Sequence, residues 1–373
     1  MSDVILLEEL EAGAEKRIGL VTLNDEASLN SLSLDMIRAL YPKLLAWQED
    51  DNVVAVFLQG AGEKAFCAGG NIRKLYDSLL EKPEQLPNEL AQAFFSEEYR
   101  LDYLIHTYRK PFIVWGHGIV MGGGIGLMSG ASHRVVTEVS RLAMPEAAIG
   151  LFPDVGGTWF LNRAPGNTGL FLGLTGAHMN AADALFVGLA DFSLAHAEKE
   201  NLLDQLSQAD WQENDTANHG LVTLILQKLG SDTDLSESNI RKHFDRIKQV
   251  TEAPSLNDIV QKIISLDIDD IWWQRAVKSL QRGCPTTANL VYEQISRGAQ
   301  LSLAEVFQFE LIIALQCTVH PDFREGVRAL LVDKDHAPVW QHRCIAEVPV
   351  EWVNAHFQPP WGNKDNPLKD LGS

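Results

Sequence analysis

Phe112 to Ala131 reads FIVWGHGIVMGGGIGLMSGA, twenty residues without a formal charge. A run of that length and apolarity invites a membrane-span reading. Seven of the twenty are glycine, however, and glycine at that density marks tight turns and close backbone approach rather than a continuous helix. The segment therefore predicts a buried strand at Phe112–Trp115, a glycine-rich turn, and the start of a helix built from small residues.

The same pattern occurs upstream. Val53 to Leu58 (VVAVFL) is a continuous apolar run bounded by Asp50-Asp51 and Gly60-Ala61-Gly62, as expected for a parallel strand buried on both faces. After it comes AGEKAFCAGGNIRKLYDSL, again a glycine-containing turn leading into a helix, then a polar stretch at 83–88 that reads as a surface loop. Arg17–Leu23 reads as a strand. Ser33 is placed to cap a helix with apolar Leu34, Ile37, Leu40, Leu44 and Leu45, which Pro42 should kink. A helix over about residues 91–106 and a strand at Val135-Val136 complete the alternation of an α/β core.

Beyond about residue 195 the apolar positions recur at helical spacing: Leu221, Leu224, Leu226 and Leu229, then 259–264, then 303–315. The expected organisation is a catalytic core over 1–195 and a mostly helical region over 196–373.

Composition narrows the function classes. Lys and Arg number 31 against 50 Asp and Glu, a net charge of −19 with no basic patch, which argues against nucleic acid as a partner. The four cysteines, Cys67, Cys284, Cys317 and Cys344, form no close pair, so neither a disulfide framework nor a zinc site is indicated. The acidic, interrupted N-terminus fits neither a signal peptide nor an Arg-rich transit peptide. The expectation is a cytoplasmic protein with no metal and no membrane partner.

Familiar catalytic motifs are missing. The glycines of 116–130 never reach G-x-G-x-x-G spacing, no Gly-Lys-Ser/Thr occurs, and Ser129 in GLMSG lacks the nucleophile elbow. Three segments remain: KAFCAGGNIR (64–73), GHGIVMGGGIG (116–126) and MPEAAIGLFPDVGG (144–157). The first two put small residues directly after strands, where two backbone N–H groups could hold the oxygen of an activated acyl group. The third carries two carboxylates, Glu146 and Asp154. Spacing alone leaves other roles open: Glu146 as a surface partner of Arg141, and Asp154 as an N-cap for the Gly156 or Gly157 N–H.

Taken together and in this order, the three segments resemble the crotonase, or enoyl-CoA hydratase/isomerase, superfamily. KAFCAGGNI is similar to its K-A-F-x-A-G-x-D-I turn, MGGGIGL to its second glycine turn, and MPEAAIGLFPDVGGTWFL to the loop carrying its catalytic carboxylates. The resemblance implies a crotonase-like spiral of repeated ββα units with a C-terminal helical region. Its hydratases carry one glutamate just after the second glycine turn, where this chain has Gly126, and a second where this chain has Glu146. Asp154 stands where hydratases usually have Gly. That exchange resembles the 3-hydroxyisobutyryl-CoA hydrolase branch, as do FFSEEYRLDY (94–103) and PDFREGVRALLVDKDHAPVW (321–340). Asn71 departs from the usual Asp, which suggests a turn-fixing role rather than a catalytic one.

The resemblance implies a hydrolase of a short β-hydroxyacyl-CoA thioester, with coenzyme A part of the substrate and no separate cofactor. The backbone N–H groups of Ala68 and Gly123 would form the oxyanion hole. Glu146 would attack the carbonyl carbon or act as general base, with Asp154 positioning the water or substrate hydroxyl. Glu98, Gly69, Gly70, Gly122 and Lys64 would line the substrate. Glu98 also reads as a helix-surface partner of Arg100 or Arg109. Lys64, Arg73, Lys74, Arg328 and Lys334 are the expected local cations for the coenzyme A phosphates. A homo-oligomer is a further option, since superfamily trimers assemble through a C-terminal helical region. The competing readings are an enoyl-CoA hydratase/isomerase and a non-catalytic binding protein of the same fold.

Overall fold

The computed structural model describes the chain apart from residues 1–3, 14, 83, 84, 86, 231, 232 and 363. Part of the expected 83–88 loop therefore lies outside the described residues. The apolar runs form strands where periodicity places them. β2 (Arg17–Leu23), β3 (Val53–Gly60), β5 (Phe112–Gly116), β7 (His133–Val136) and β9 (Phe192–Ser193) run parallel to one another in a six-stranded sheet. β1 (Ile5–Glu11), which the sequence reading did not identify, pairs antiparallel with β2 at the edge. Its exposed glutamates suit an edge strand, because charge there opposes pairing with another chain.

A second, three-stranded sheet orders β4 (Ala65–Cys67), β6 (Ile119–Met121) and β8 (Arg141–Ala143). The chain thus repeats one unit: a strand in the large sheet, a strand in the small one, then a helix. β3 and β4 lead to α2 (Ile72–Glu81), β5 and β6 to α4 (Gly123–Ser129), and β7 and β8 to α5 (Gly157–Arg163). This is the expected ββα repetition. The earlier helix α1 (Leu34–Glu49) is capped by Ser33, whose side chain accepts from the Met36 N–H, and it runs on past Pro42 as one helix.

Two compact units divide the chain, and neither is one continuous stretch. The first comprises Met1–Gly70, Leu101–Leu142 and Met179–Asn239. Its core packs Ile18, Phe57, Ile113, Trp115 and Val135 from the sheet with Leu202, Leu206, Val222 and Leu226 from the helices Lys199–Ser207 and Asp215–Leu229. Each such buried Leu or Phe contributes roughly 1.5–3 kcal/mol. The second unit comprises Asn71–Arg100, Ala143–His178 and Ile240–Ser373. It is helical, and its centre holds Pro285–Gly298 and Leu303–Val319. The uncharged 112–131 run is taken up by β5, β6 and α4 rather than a span, and among the described residues no single helix is long and apolar enough to cross a membrane.

Candidate active site

The candidate residues form two groups, one in each unit. In the first unit, β4 and β6 pair in parallel with Ala65 opposite Ile119 and Cys67 opposite Val120. Their turns, Ala68–Gly70 and Gly122–Gly123, therefore leave the same end of neighbouring strands. The two turns approach closely: a Cβ on Gly124 would lie 2.3 Å from the Cys67 carbonyl oxygen, so only glycine fits. Gly69, at φ +100°, adopts backbone that side chains other than glycine rarely tolerate.

Backbone hydrogen bonds decide which amides point outward. The Ala68 N–H donates to the Leu29 carbonyl at 3.1 Å, while the Gly69 carbonyl accepts from the Leu32 N–H at 2.8 Å. Ala68 is therefore not the free donor that the resemblance implied; its amide is used to tie down the turn. The amides of Gly69 and Gly70 have no such backbone partner among the described residues. Gly123 opens α4, and its N–H is one of the first-turn amides that an α-helix leaves unpaired. Ile125 and Gly126 close that turn onto the Gly122 carbonyl. Lys64 lines a cavity of about 250 Å³ with Glu26, Ala27, Asn30 and Ala61.

In the second unit, Glu98 and Tyr99 from α3 (Glu89–His106) join Glu146 and Asp154 from the 143–157 loop. All three carboxylates are buried, with exposures of 2%, 6% and 4% for Glu98, Glu146 and Asp154. Burial excludes the surface roles the sequence left open for Glu98 and Glu146, and Arg100 pairs with Asp370 at 2.7 Å. The N-cap role for the Asp154 side chain also fails: the Gly157 N–H donates to the Asp154 backbone carbonyl at 2.7 Å. The Asp154 carboxylate accepts instead from the Tyr99 hydroxyl at 2.6 Å. Asn71 caps α2 without a side-chain hydrogen bond, so its expected turn-fixing role finds no such bond to rest on.

These groups titrate unlike free carboxylates. Desolvation raises Asp154 to about 6 despite the opposing Tyr99 hydrogen bond. Burial first, and then the Asp154 charge, raise Glu98 and Glu146 well above the ordinary carboxylate range. Among the described residues neither Glu98 Oε1 nor Glu146 Oε2 has a hydrogen-bond partner. Glu146 is consequently a stronger base than a solvated glutamate, with one oxygen unengaged.

Three supporting residues escaped the sequence reading. Glu310, fully buried in Leu303–Val319, accepts from the Gly156 N–H (2.8 Å) and the Thr158 N–H (2.7 Å). Gln294 donates to the Pro153 carbonyl (2.7 Å) and to Thr158 Oγ1 (2.8 Å). Tyr99 is the third. Between the anchored residues, Val155 and Gly156 both take positive φ, +51° and +87°. A β-branched residue held there costs about 1–3 kcal/mol and persists only where its surroundings over-determine it. A signal for Glu310 existed: it is the one acid at a core-facing position of an otherwise apolar stretch, seven residues after Leu303 and three after Phe307. Among the expected cations, Arg328 is already paired with Glu325, Asp333 and Asp335 at 2.8, 2.7 and 2.6 Å, which removes it as a phosphate ligand.

A family model described as enoyl-CoA hydratase/isomerase matches residues 18–357. The curated proteins named "3-hydroxyisobutyryl-CoA hydrolase, mitochondrial" include one from Gallus gallus, 36% identical over 98% of this chain and 90% of its own length. Another, from Danio rerio, is 38% identical over 91% of this chain and 87% of its own length. Among solved structures, a carnitinyl-CoA dehydratase from Mycobacterium thermoresistibile matches with a TM-score of 0.85 at 32% identity, covering 100% of both chains. An enoyl-CoA hydratase from Rhodobacter sphaeroides 2.4.1 matches with a TM-score of 0.83 at 32% identity, over 96% of this chain and 98% of its own. The mitochondrial names of the curated relatives overturn the cytoplasmic expectation. A targeting address is a separable segment, so the residues that build a fold carry no record of compartment. By the family match and by identity over nearly its whole length, the chain belongs to the enoyl-CoA hydratase/isomerase family, the crotonase superfamily that its three motifs resemble.

Proposed function

We propose that the protein hydrolyses short β-hydroxyacyl-CoA thioesters, with 3-hydroxyisobutyryl-CoA as the principal substrate, releasing 3-hydroxyisobutyrate and free coenzyme A, as in valine degradation. The observation that carries this reading is the burial of Glu146 together with Asp154 in a chain whose position 126 is glycine. A hydratase needs two acid–base groups to place water across a double bond, and glycine supplies none. Hydrolysis needs one strong carboxylate at the carbonyl carbon, donors for the oxyanion, and a group to hold the water or the substrate hydroxyl. Glu146 takes the first role, by attack to give a mixed anhydride or as general base on water. The amides of the Gly69–Gly70 step and of Gly123 take the second. Asp154, with Glu98, takes the third. Coenzyme A enters as part of the substrate.

The test is a panel of acyl-CoAs with free thiol and enoyl product both followed. Thiol release from 3-hydroxyisobutyryl-CoA without enoyl product is the expected result. The solved relatives titled hydratase and dehydratase favour a second reading; hydration of crotonyl-CoA at a comparable rate would establish it instead. A protein inactive on the whole panel would be a binding member of the fold.

Two variants probe the parts. Asp154→Asn keeps the shape and removes the charge, and kcat for thiol release should fall about 10²-fold, or ~2.7 kcal/mol of barrier. Gly124→Ala would drive α4 off the Cys67 carbonyl. Such overpacking costs about 1–3 kcal/mol of stability. Displacing an oxyanion donor by even a fraction of an ångström should lower kcat at least about tenfold. Thermal unfolding and thiol release read the two effects separately.

A further inference from the structure

Asp154 sits on a turn that does not hold itself. After it come Val155 and Gly156, both at positive φ, and no side chain of the turn caps the helix that follows. The restraints come from elsewhere in the same unit. Glu310 spans the Gly156 and Thr158 amides with one oxygen each, at 2.8 and 2.7 Å. Gln294 fixes Pro153 on the other side of Asp154. A carboxylate with no exposure, in a helix whose neighbours Phe307, Leu311, Ile313 and Ala314 are also buried, is a costly residue to place there for packing alone. The hydrogen bonds it makes, from the Gly156 and Thr158 amides and the Thr158 hydroxyl, all come from the turn that carries Asp154 and the first residues after it.

We propose that Glu310 is a positioning residue for thioester hydrolysis, acting through Asp154 by locking the strained Val155–Gly156 turn. The proposal rests on the hydrolase reading given above. Glu310 touches no reacting atom. Its carboxyl group presents one accepting oxygen to each of the two N–H donors, which a primary amide cannot do because its NH₂ end would face one of them. With the turn released, Val155 relaxes toward negative φ, and the Asp154 carboxylate loses its alignment with the Tyr99 hydroxyl.

A double-mutant cycle on the purified full-length chain tests this, using 3-hydroxyisobutyryl-CoA and thiol release, with folded fraction checked by thermal unfolding. Glu310→Gln should lower kcat at least about tenfold with KM changed less than about twofold, since alignment rather than substrate affinity is lost. The Glu310→Gln/Asp154→Asn double variant should be no slower than Asp154→Asn alone within about twofold, because both changes remove the same contribution. Glu310→Asp keeps the carboxyl group but withdraws it by one methylene. It should fall between wild type and Glu310→Gln, and it carries the test if the glutamine variant does not fold. Wild-type kcat in the folded Glu310 variants, or losses that multiply in the double variant, would overturn the positioning role while leaving hydrolysis intact. An inactive wild type would overturn the hydrolase reading itself and this inference with it, whereas a fully active Asp154→Asn would leave hydrolysis standing and overturn the inference alone.

Discussion

Glu146→Gln should leave a folded protein whose kcat is lower by at least about 10³-fold, equivalent to ~4 kcal/mol of lost transition-state stabilisation. The magnitude follows from the absence of a substitute. Asp154 is engaged by Tyr99, and Glu98 is given to the water or the substrate hydroxyl rather than to the carbonyl carbon. An amide can neither attack a carbonyl nor take a proton from water, whichever route Glu146 follows. Stability should change little or rise, because the substitution removes a buried acid with an unpartnered oxygen and adds no volume. Thiol-release kinetics and a thermal melt suffice; full activity would remove Glu146 from the mechanism. The two routes separate in a single turnover in heavy-oxygen water with enzyme in excess. Label in Glu146 shows an anhydride opened at the enzyme's carbonyl. If label is found only in the product acid, trapping the intermediate must decide, since an anhydride opened at the substrate carbonyl gives the same result.

The second large effect is on stability against pH. Burial pushes Glu310 up to about 8 from an ordinary 4.5, against the pull of its hydrogen bonds from Gly156 and Thr158. The same cause pushes Asp154 to about 6 from 3.8. A raised carboxyl pKa means that the fold holds a proton the unfolded chain has released. Stability from that proton is complete below the unfolded value and is lost as pH rises through the folded one. Glu310 loses that contribution across about pH 4.5 to 8, and Asp154 across about pH 3.8 to 6. The melting temperature should therefore decline from about pH 4.5 to 8, against the rule of maximal stability near neutrality. Glu310→Gln should flatten that decline by removing the titrating acid. A wild-type profile flat across the range, or an unchanged slope in the variant, would contradict the assignment.

The parallel strands were legible because a strand buried on both faces must be apolar throughout, and VVAVFL and FIVWG have no other plausible place. β1 was not, since its glutamates break the alternation and its partner is what makes it a strand. The helix Asp215–Leu229 is legible from its apolar spacing and Lys199–Ser207 only as part of a mostly helical region, yet nothing in the periodicity says that they pack on the sheet while α2 and residues 143–178 join the later helices.

The site divides along the same line. Glu146, Asp154 and the two glycine turns lie in short contiguous motifs, so residue type and spacing within a few positions were enough to mark them as candidates. Which amide of the first turn is free depended on Leu29, whose carbonyl claims Ala68. That Glu98 is buried rather than paired on the surface, that Tyr99 donates to Asp154, and that Glu310 and Gln294 hold the turn all depended on residues far apart in the chain. Such partners meet only when the helices pack. Burial sets the charge state of each carboxylate, and burial is a property of the tertiary structure.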